Sequence, residues 1–190
     1  MKRFITMTLA VLLAVTAFAQ NLEGTWSYTG NKNEKMNGEN NVNGELKAVT
    51  TVTLTFSGTA FECTRKADVR MDMVLDQNDP DDSTVGLLVK LNGKNAGSFE
   101  LADGVLKLIP NKGKPQVDVK TDVEGMPSGG EMLAGMLAGP LKNEMVKELK
   151  ETEQYKVISA TATELTLEEI LTKKDIADGK KAETVVFKKK

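Results

Sequence analysis

The chain carries one cysteine, Cys63, and no histidine, and this decides most of the chemistry open to it. Ser-His-Asp and Cys-His catalysis both use an imidazole as the base, and the common zinc sites draw on His and Cys ligands that this chain mostly lacks. No catalytic residue, metal site or cofactor is therefore expected, and the chain is read as not an enzyme. Carboxylate chemistry and oxygen-only metal sites survive the exclusion. The acidic segment Asp76-Gln77-Asn78-Asp79-Pro80-Asp81-Asp82 lacks the sharp-turn glycine and distal glutamate of a calcium loop, and reads as a solvated turn around Pro80.

Arg65 is the most pointed of the charged residues. By strand parity it shares a face with Phe61, Cys63, Val69, Met71 and Met73, and an unpaired buried guanidinium would be very costly. Three arrangements would satisfy it. A bulge near Thr64 would turn it outward, Trp26 would take it by a cation–π contact, or the carboxylate of a fatty-acid-like ligand would meet its paired donors. Cys63, two residues away, reads as a small buried apolar side chain.

These residues sit in a long run of strand-like alternation. Leu46, Ala48, Val52, Leu54 and Phe56 share one parity while Glu45, Lys47, Thr51, Thr53 and Thr55 take the other, the period of a half-buried strand. After a turn at Ser57-Gly58 the alternation resumes from Phe61 to Asp76, long enough to require strong twist. Val85–Leu91 and Gly97–Leu101 read as a hairpin around Asn92-Gly93, and Asp103-Gly104 as a turn into Val105–Ile109. Further strands are expected over Val117–Val123, Tyr155–Ala160, Leu165–Leu171 and Thr184–Lys188. With the opening Trp26 segment this makes about ten strands. Their connections suit antiparallel neighbours, and closing the sheet into a barrel would remove its exposed edges.

One stretch changes period. From Glu131 to Glu151, Met132, Leu133, Met136, Leu137, Leu141, Met145 and Leu149 recur at helical spacing. Pro140 is expected to end one helix and open another. Methionines suit varied apolar shapes, so Met132 and Met136 are candidates to line a lid over a barrel mouth. Static packing against the barrel and a protein or membrane contact are the alternatives.

Export is expected from the first nineteen residues. Lys2 and Arg3 precede an apolar run from Phe4 to Phe18, and Ala17-Phe18-Ala19 supplies a cleavage site; the run is short of the roughly 20 residues that cross a bilayer. Cleavage after Ala19 leaves residues 20–190 as one extracytoplasmic domain, periplasmic or secreted, with 23 basic and 27 acidic residues and no membrane span. That charge argues against nucleic acid as a partner. A single cysteine leaves no internal disulfide to stabilise the exported domain.

Gly24-Thr25-Trp26, the stretch Leu54 to Phe61, the stretch Gly97 to Leu106, and the closing segments Tyr155-Lys156-Val157-Ile158, Leu165-Thr166-Leu167 and Val185-Val186-Phe187-Lys188 occur in one order. In that order the chain resembles the lipocalin-like domains of exported bacterial proteins. The resemblance covers nearly all of residues 20–190. It implies a mainly β fold, an antiparallel up-and-down barrel of about 8–10 strands, here with a helical insert near 131–151. It also implies that Gly24 and Trp26 close one end and that a small hydrophobic or amphipathic molecule is held non-covalently inside. Phe61, Arg65, Val69, Met71, Met73, Met132 and Met136 are the expected ligand-binding residues. The last strand departs from the family in offering only lysines where an arginine often packs on the first-strand tryptophan. The rival expectation is a structural or interaction module with a packed core, which holds a protein partner through the insert.

Overall fold

The computed structural model describes residues 22–37, 43–74, 84–126, 128–172, 176–177 and 179–190. The expected export signal and the acidic turn at 76–82 lie outside the described residues. No helix among the described residues is long and apolar enough to cross a membrane.

Among the described residues the alternating segments form nine strands, β1 (Gly24–Asn37), β2 (Asn43–Ser57), β3 (Ala60–Val74), β4 (Thr84–Ala102), β5 (Val105–Pro110), β6 (Gln116–Glu124), β7 (Glu153–Ala160), β8 (Glu164–Glu169) and β9 (Thr184–Lys189), with a helix, α1 (Gly130–Glu148), between β6 and β7. Every pairing is antiparallel. Around the ring the order is β3-β2-β1-β9-β8-β7-β5-β4, and β4 returns to β3 to close an eight-stranded barrel. Closure leaves the eight strands without an edge where all of them are present.

Strand length dictates the rest of the shape. β1 to β4 are 14, 15, 15 and 19 residues long, whereas β5, β8 and β9 have only six. The long strands therefore outrun the short ones. β4 pairs with β5 through Gly97–Ala102 and with β6 through Gly86–Lys94, so β5 and β6 lie end to end along the same edge. Beyond the barrel the far parts of β1 to β4, with β6 added, continue as a five-stranded extension. α1 lies on this extension. Its buried residues Gly130, Ala134 and Met145 repeat at helical spacing, Thr121 Oγ1 donates to the Ala134 carbonyl at 2.8 Å, and Asn95 Nδ2 donates to the Leu149 carbonyl at 2.7 Å.

The barrel is filled. Trp26, Phe56, Phe61, Leu54, Leu106, Leu108, Leu165, Leu167 and Phe187 form one buried cluster, with Phe99 meeting Phe56 edge-on at 5.0 Å between centroids. Trp26 is fully buried in this cluster. Its Nε1 donates to the Leu22 carbonyl at 2.7 Å, and Lys189, opposite it in β9, sets Nζ over the indole at 5.1 Å from the centroid. A lysine of the last strand thus packs on the tryptophan. Gly24 has φ of 112°, and a Cβ there would lie 3.0 Å from Lys189 Cε, so glycine serves both the backbone and the lysine packed on it.

Two expectations are corrected. Asn92-Gly93 is not a turn, because β4 runs unbroken from Thr84 to Ala102, which merges two expected strands and gives nine rather than about ten. Gly93 is buried and a Cβ there would meet Leu149 Cδ1 at 2.7 Å and Met145 Cε at 2.8 Å, so this glycine admits the helix rather than turning the chain. Pro140 does not divide the helix either; α1 passes through it. Proline removes the bond to residue 136, but Met136 and Pro140 are both exposed, where water satisfies the freed carbonyl. The tight turn at Asp103-Gly104 is borne out, with φ of 52° and 75°.

Candidate functional site

The barrel and its extension meet at Arg65. It lies on β3 between Val52 of β2 and Gly93 of β4, and its inward parity is as expected. Neither a bulge at Thr64 nor Trp26 satisfies it, since both β3 ladders keep their register past Thr64 and Lys189 stands over the indole. Arg65 Nη2 forms an ion pair with Glu153 Oε1 at the start of β7, and Tyr155 Oη donates to the second oxygen of that carboxylate at 2.6 Å. Glu153, Tyr155 and Val157 share the inner face of β7, so an acid at the head of an apolar stripe was the one sequence sign of this partner. Arg65 Nε is buried and has no hydrogen-bond partner.

Burial opposes the charge on Arg65, but the facing carboxylate of Glu153, together with the neighbouring Cys63 and Tyr155 groups, outweighs it and holds the guanidinium more firmly protonated than usual. Burial, and then the same carboxylate, push the Tyr155 phenol well up. Burial likewise raises the Cys63 thiol, which leaves it protonated and unreactive near neutral pH. The cluster thus sets an ion pair beside a phenol and a thiol that are both held protonated.

Above this cluster opens a pocket of about 430 Å³, whose lining includes Arg65, Glu148, Glu151, Glu153, Tyr155 and Glu169. Below it, among Phe61, Cys63 and Leu108, the remaining space is too narrow for a water molecule. Phe61 is accordingly a core residue, pressed against Gly97.

Val69, Met71 and Met73 follow Arg65 on the same face of β3, paired across to Ala48, Leu46 and Gly44 of β2 and to Val89, Leu87 and Val85 of β4. They are half-buried, whereas Val85 and Val89 are buried. Met132 and Met136 are placed elsewhere. They stand on the side of α1 opposite its buried residues and are 70% and 66% exposed, because the small residues Gly130 and Ala134 take the sheet-facing positions. Among the described residues no three His, Cys, Asp or Glu side chains are grouped to hold a metal ion. No family model matches the chain, and no curated protein matches it.

Proposed function

We propose that the chain is an exported lipocalin-like barrel, cleaved after Ala19, that binds a small amphipathic molecule at the open end of the barrel without catalysing a reaction. The apolar part of the ligand lies along Val69, Met71 and Met73, and its polar end meets the Arg65–Glu153–Tyr155 cluster. The observation that supports this is the continuation of the barrel's apolar inner face past Arg65 into half-buried side chains, next to an arginine with an unspent donor. Arg65 is already neutralised by Glu153 and Lys180 by Glu169, which leaves Glu148 and Glu151 as the remaining charges lining the opening. A neutral hydrogen-bonding or cationic head therefore suits the site better than a fatty-acid carboxylate.

Titration with a neutral hydrophobic fluorophore, together with mass spectrometry of solvent extracts from the purified protein, tests this. Met71→Glu should weaken probe uptake about tenfold by placing a charge in the apolar track. No uptake by the native chain, and no extractable ligand, would overturn it.

The exposed pair Met132 and Met136 supports a second reading, in which a protein partner docks on the outer face of α1. Met132→Lys with Met136→Lys should then abolish recovery of that partner while leaving probe uptake intact.

A further inference from the structure

β1 is hydrogen-bonded on both sides only near its start. β2 accompanies it along its whole length, but β9 pairs with it only at Trp26 and Ser27, flanked by a bond from the Lys190 amide to the Thr25 carbonyl at 2.9 Å. From Thr29 to Lys35 the second edge has no partner among the described residues, and all but Gly30 are exposed. In an antiparallel strand the N–H and C=O of one residue point to the same side, and successive residues alternate. Thr25 directs its carbonyl toward β9, so Thr29, Asn31, Asn33 and Lys35 direct their backbone groups to the open edge.

We propose that this edge pairs with the same edge of a second copy of the chain, antiparallel and about a two-fold axis at Asn33. The two extensions then join into one continuous sheet, an isologous interface of the kind most soluble dimers use. Charge selects the register. Centred on Asn33, each Lys32 faces the second copy's Glu34 at non-hydrogen-bonded positions, where side chains come closest, while Asn33 faces its own copy as a hydrogen-bonded pair. Centring on residue 32 or 35 sets lysine against lysine, and centring on 34 sets glutamate against glutamate. Charged edge strands ordinarily guard against stray pairing. Here Lys32, Glu34 and Lys35 disfavour those neighbouring registers and leave opposite charges facing each other in this one. Within one chain Lys32 Nζ already lies 3.0 Å from Glu34 Oε1 with both side chains exposed, so the same groups are free to exchange partners across the axis.

Sedimentation velocity on residues 20–190 across a concentration series tests the proposal. A reversible dimer is expected. Glu34→Lys should weaken it about tenfold, and Lys32→Glu combined with Glu34→Lys should restore it; unchanged thermal unfolding of the variants separates lost pairing from lost fold. Asn33→Cys should give a disulfide-linked dimer on mild oxidation, and Asn31→Cys should not, because only residue 33 meets itself. A chain that stays monomeric throughout would overturn the proposal. So would a dimer indifferent to Glu34→Lys, which would place the contact elsewhere, for instance on the outer face of α1.

Discussion

The same four strands, β1 to β4, pass through two environments, and they behave differently in each. In the closed barrel their inner residues Trp26, Leu54, Phe56, Phe61 and Cys63 are buried against the opposite wall. In the extension the opposite wall is missing, α1 lies over β6 and touches β4, and Leu46, Ala48, Val69, Met71 and Met73 stay half-buried. Ion pairing does not divide in the same way. Surface pairs occur on both, Glu100–Lys107 and Glu164–Lys188 on the barrel and Glu45–Lys47 and Arg70–Asp72 on the extension, while the partly buried Arg65–Glu153 pair stands where the two meet. Alternation in a strand specifies which face is apolar but not how thickly that face is covered. Coverage depends on where the short strands stop, and it makes one half of the sheet a core and leaves the other half partly covered.

Two glycines on β4 allow the largest test of this contrast. A Cβ at Gly97, in the barrel, would lie 2.0 Å from the backbone oxygen of Ile109, which the β4–β5 ladder holds in place. Gly97→Ala should therefore cost about 3 kcal/mol by urea denaturation. At Gly93, in the extension, the added carbon meets only the flexible ends of Leu149 and Met145. Gly93→Ala should cost about 1 kcal/mol, with the loss of hydrogen-exchange protection confined to α1. Equal losses at the two positions would mean that the extension is as rigidly packed as the barrel.

Glu153 comes next in size, because it stands at the border between the two regions. Glu153→Leu strands the Arg65 charge and removes the acceptor of the Tyr155 hydroxyl. Since the pair is only partly buried, a loss of about 2 kcal/mol is expected, somewhat below that of a fully buried pair. Adding Arg65→Met should recover most of it, as apolar replacement of both partners is often neutral. A double variant no better than the single one would show that the cluster is held by more than this ion pair.

Much of this architecture was legible in the sequence. Parity alone places Arg65 on the inner face of β3 but does not decide what satisfies it, and the turns at Gly58 and Asp103-Gly104 follow from residues that accept positive φ. The errors have one cause. Asn92-Gly93 looks like a turn because local sequence cannot distinguish a glycine that bends the chain from one that clears space for Leu149, which lies far along the chain. Glu153 was missed as the partner of Arg65 for the same reason, since the two are 88 residues apart. Met132 and Met136 suit either a lid or static packing on the barrel by their adaptable side chains alone. Only docking reveals that Gly130 and Ala134, the smaller residues, take the sheet side.

Alkaline pH should weaken the barrel before the extension. The Cys63 and Tyr155 groups are both raised in the folded chain. Their contribution is therefore fully present below their unfolded values, about 8.5 and 10, and is lost as pH rises toward the folded ones. Stability should be level from pH 7 to about 8.5 and then fall by about 1 kcal/mol per pH unit for each group. Arg65, raised as well, stays charged over this range. Tyr155→Phe with Cys63→Ala should flatten the urea-midpoint profile above pH 9, even if it lowers the value at pH 7. A profile unchanged by both substitutions would place the alkaline weakness outside the barrel.

The smallest effect belongs to the outer face of α1. Met132 and Met136 are already hydrated in the folded chain, so Met132→Gln with Met136→Gln removes little buried apolar area and should shift stability by less than about 0.5 kcal/mol. Ala134, one helical position away in the buried stripe, hands its carbonyl to Thr121. Ala134→Leu should push α1 off β6 and expose its amides to exchange. If the two methionines instead prove costly to replace in the isolated chain, something must already cover them in solution, and α1 would then be a second interface rather than the outer layer of the extension.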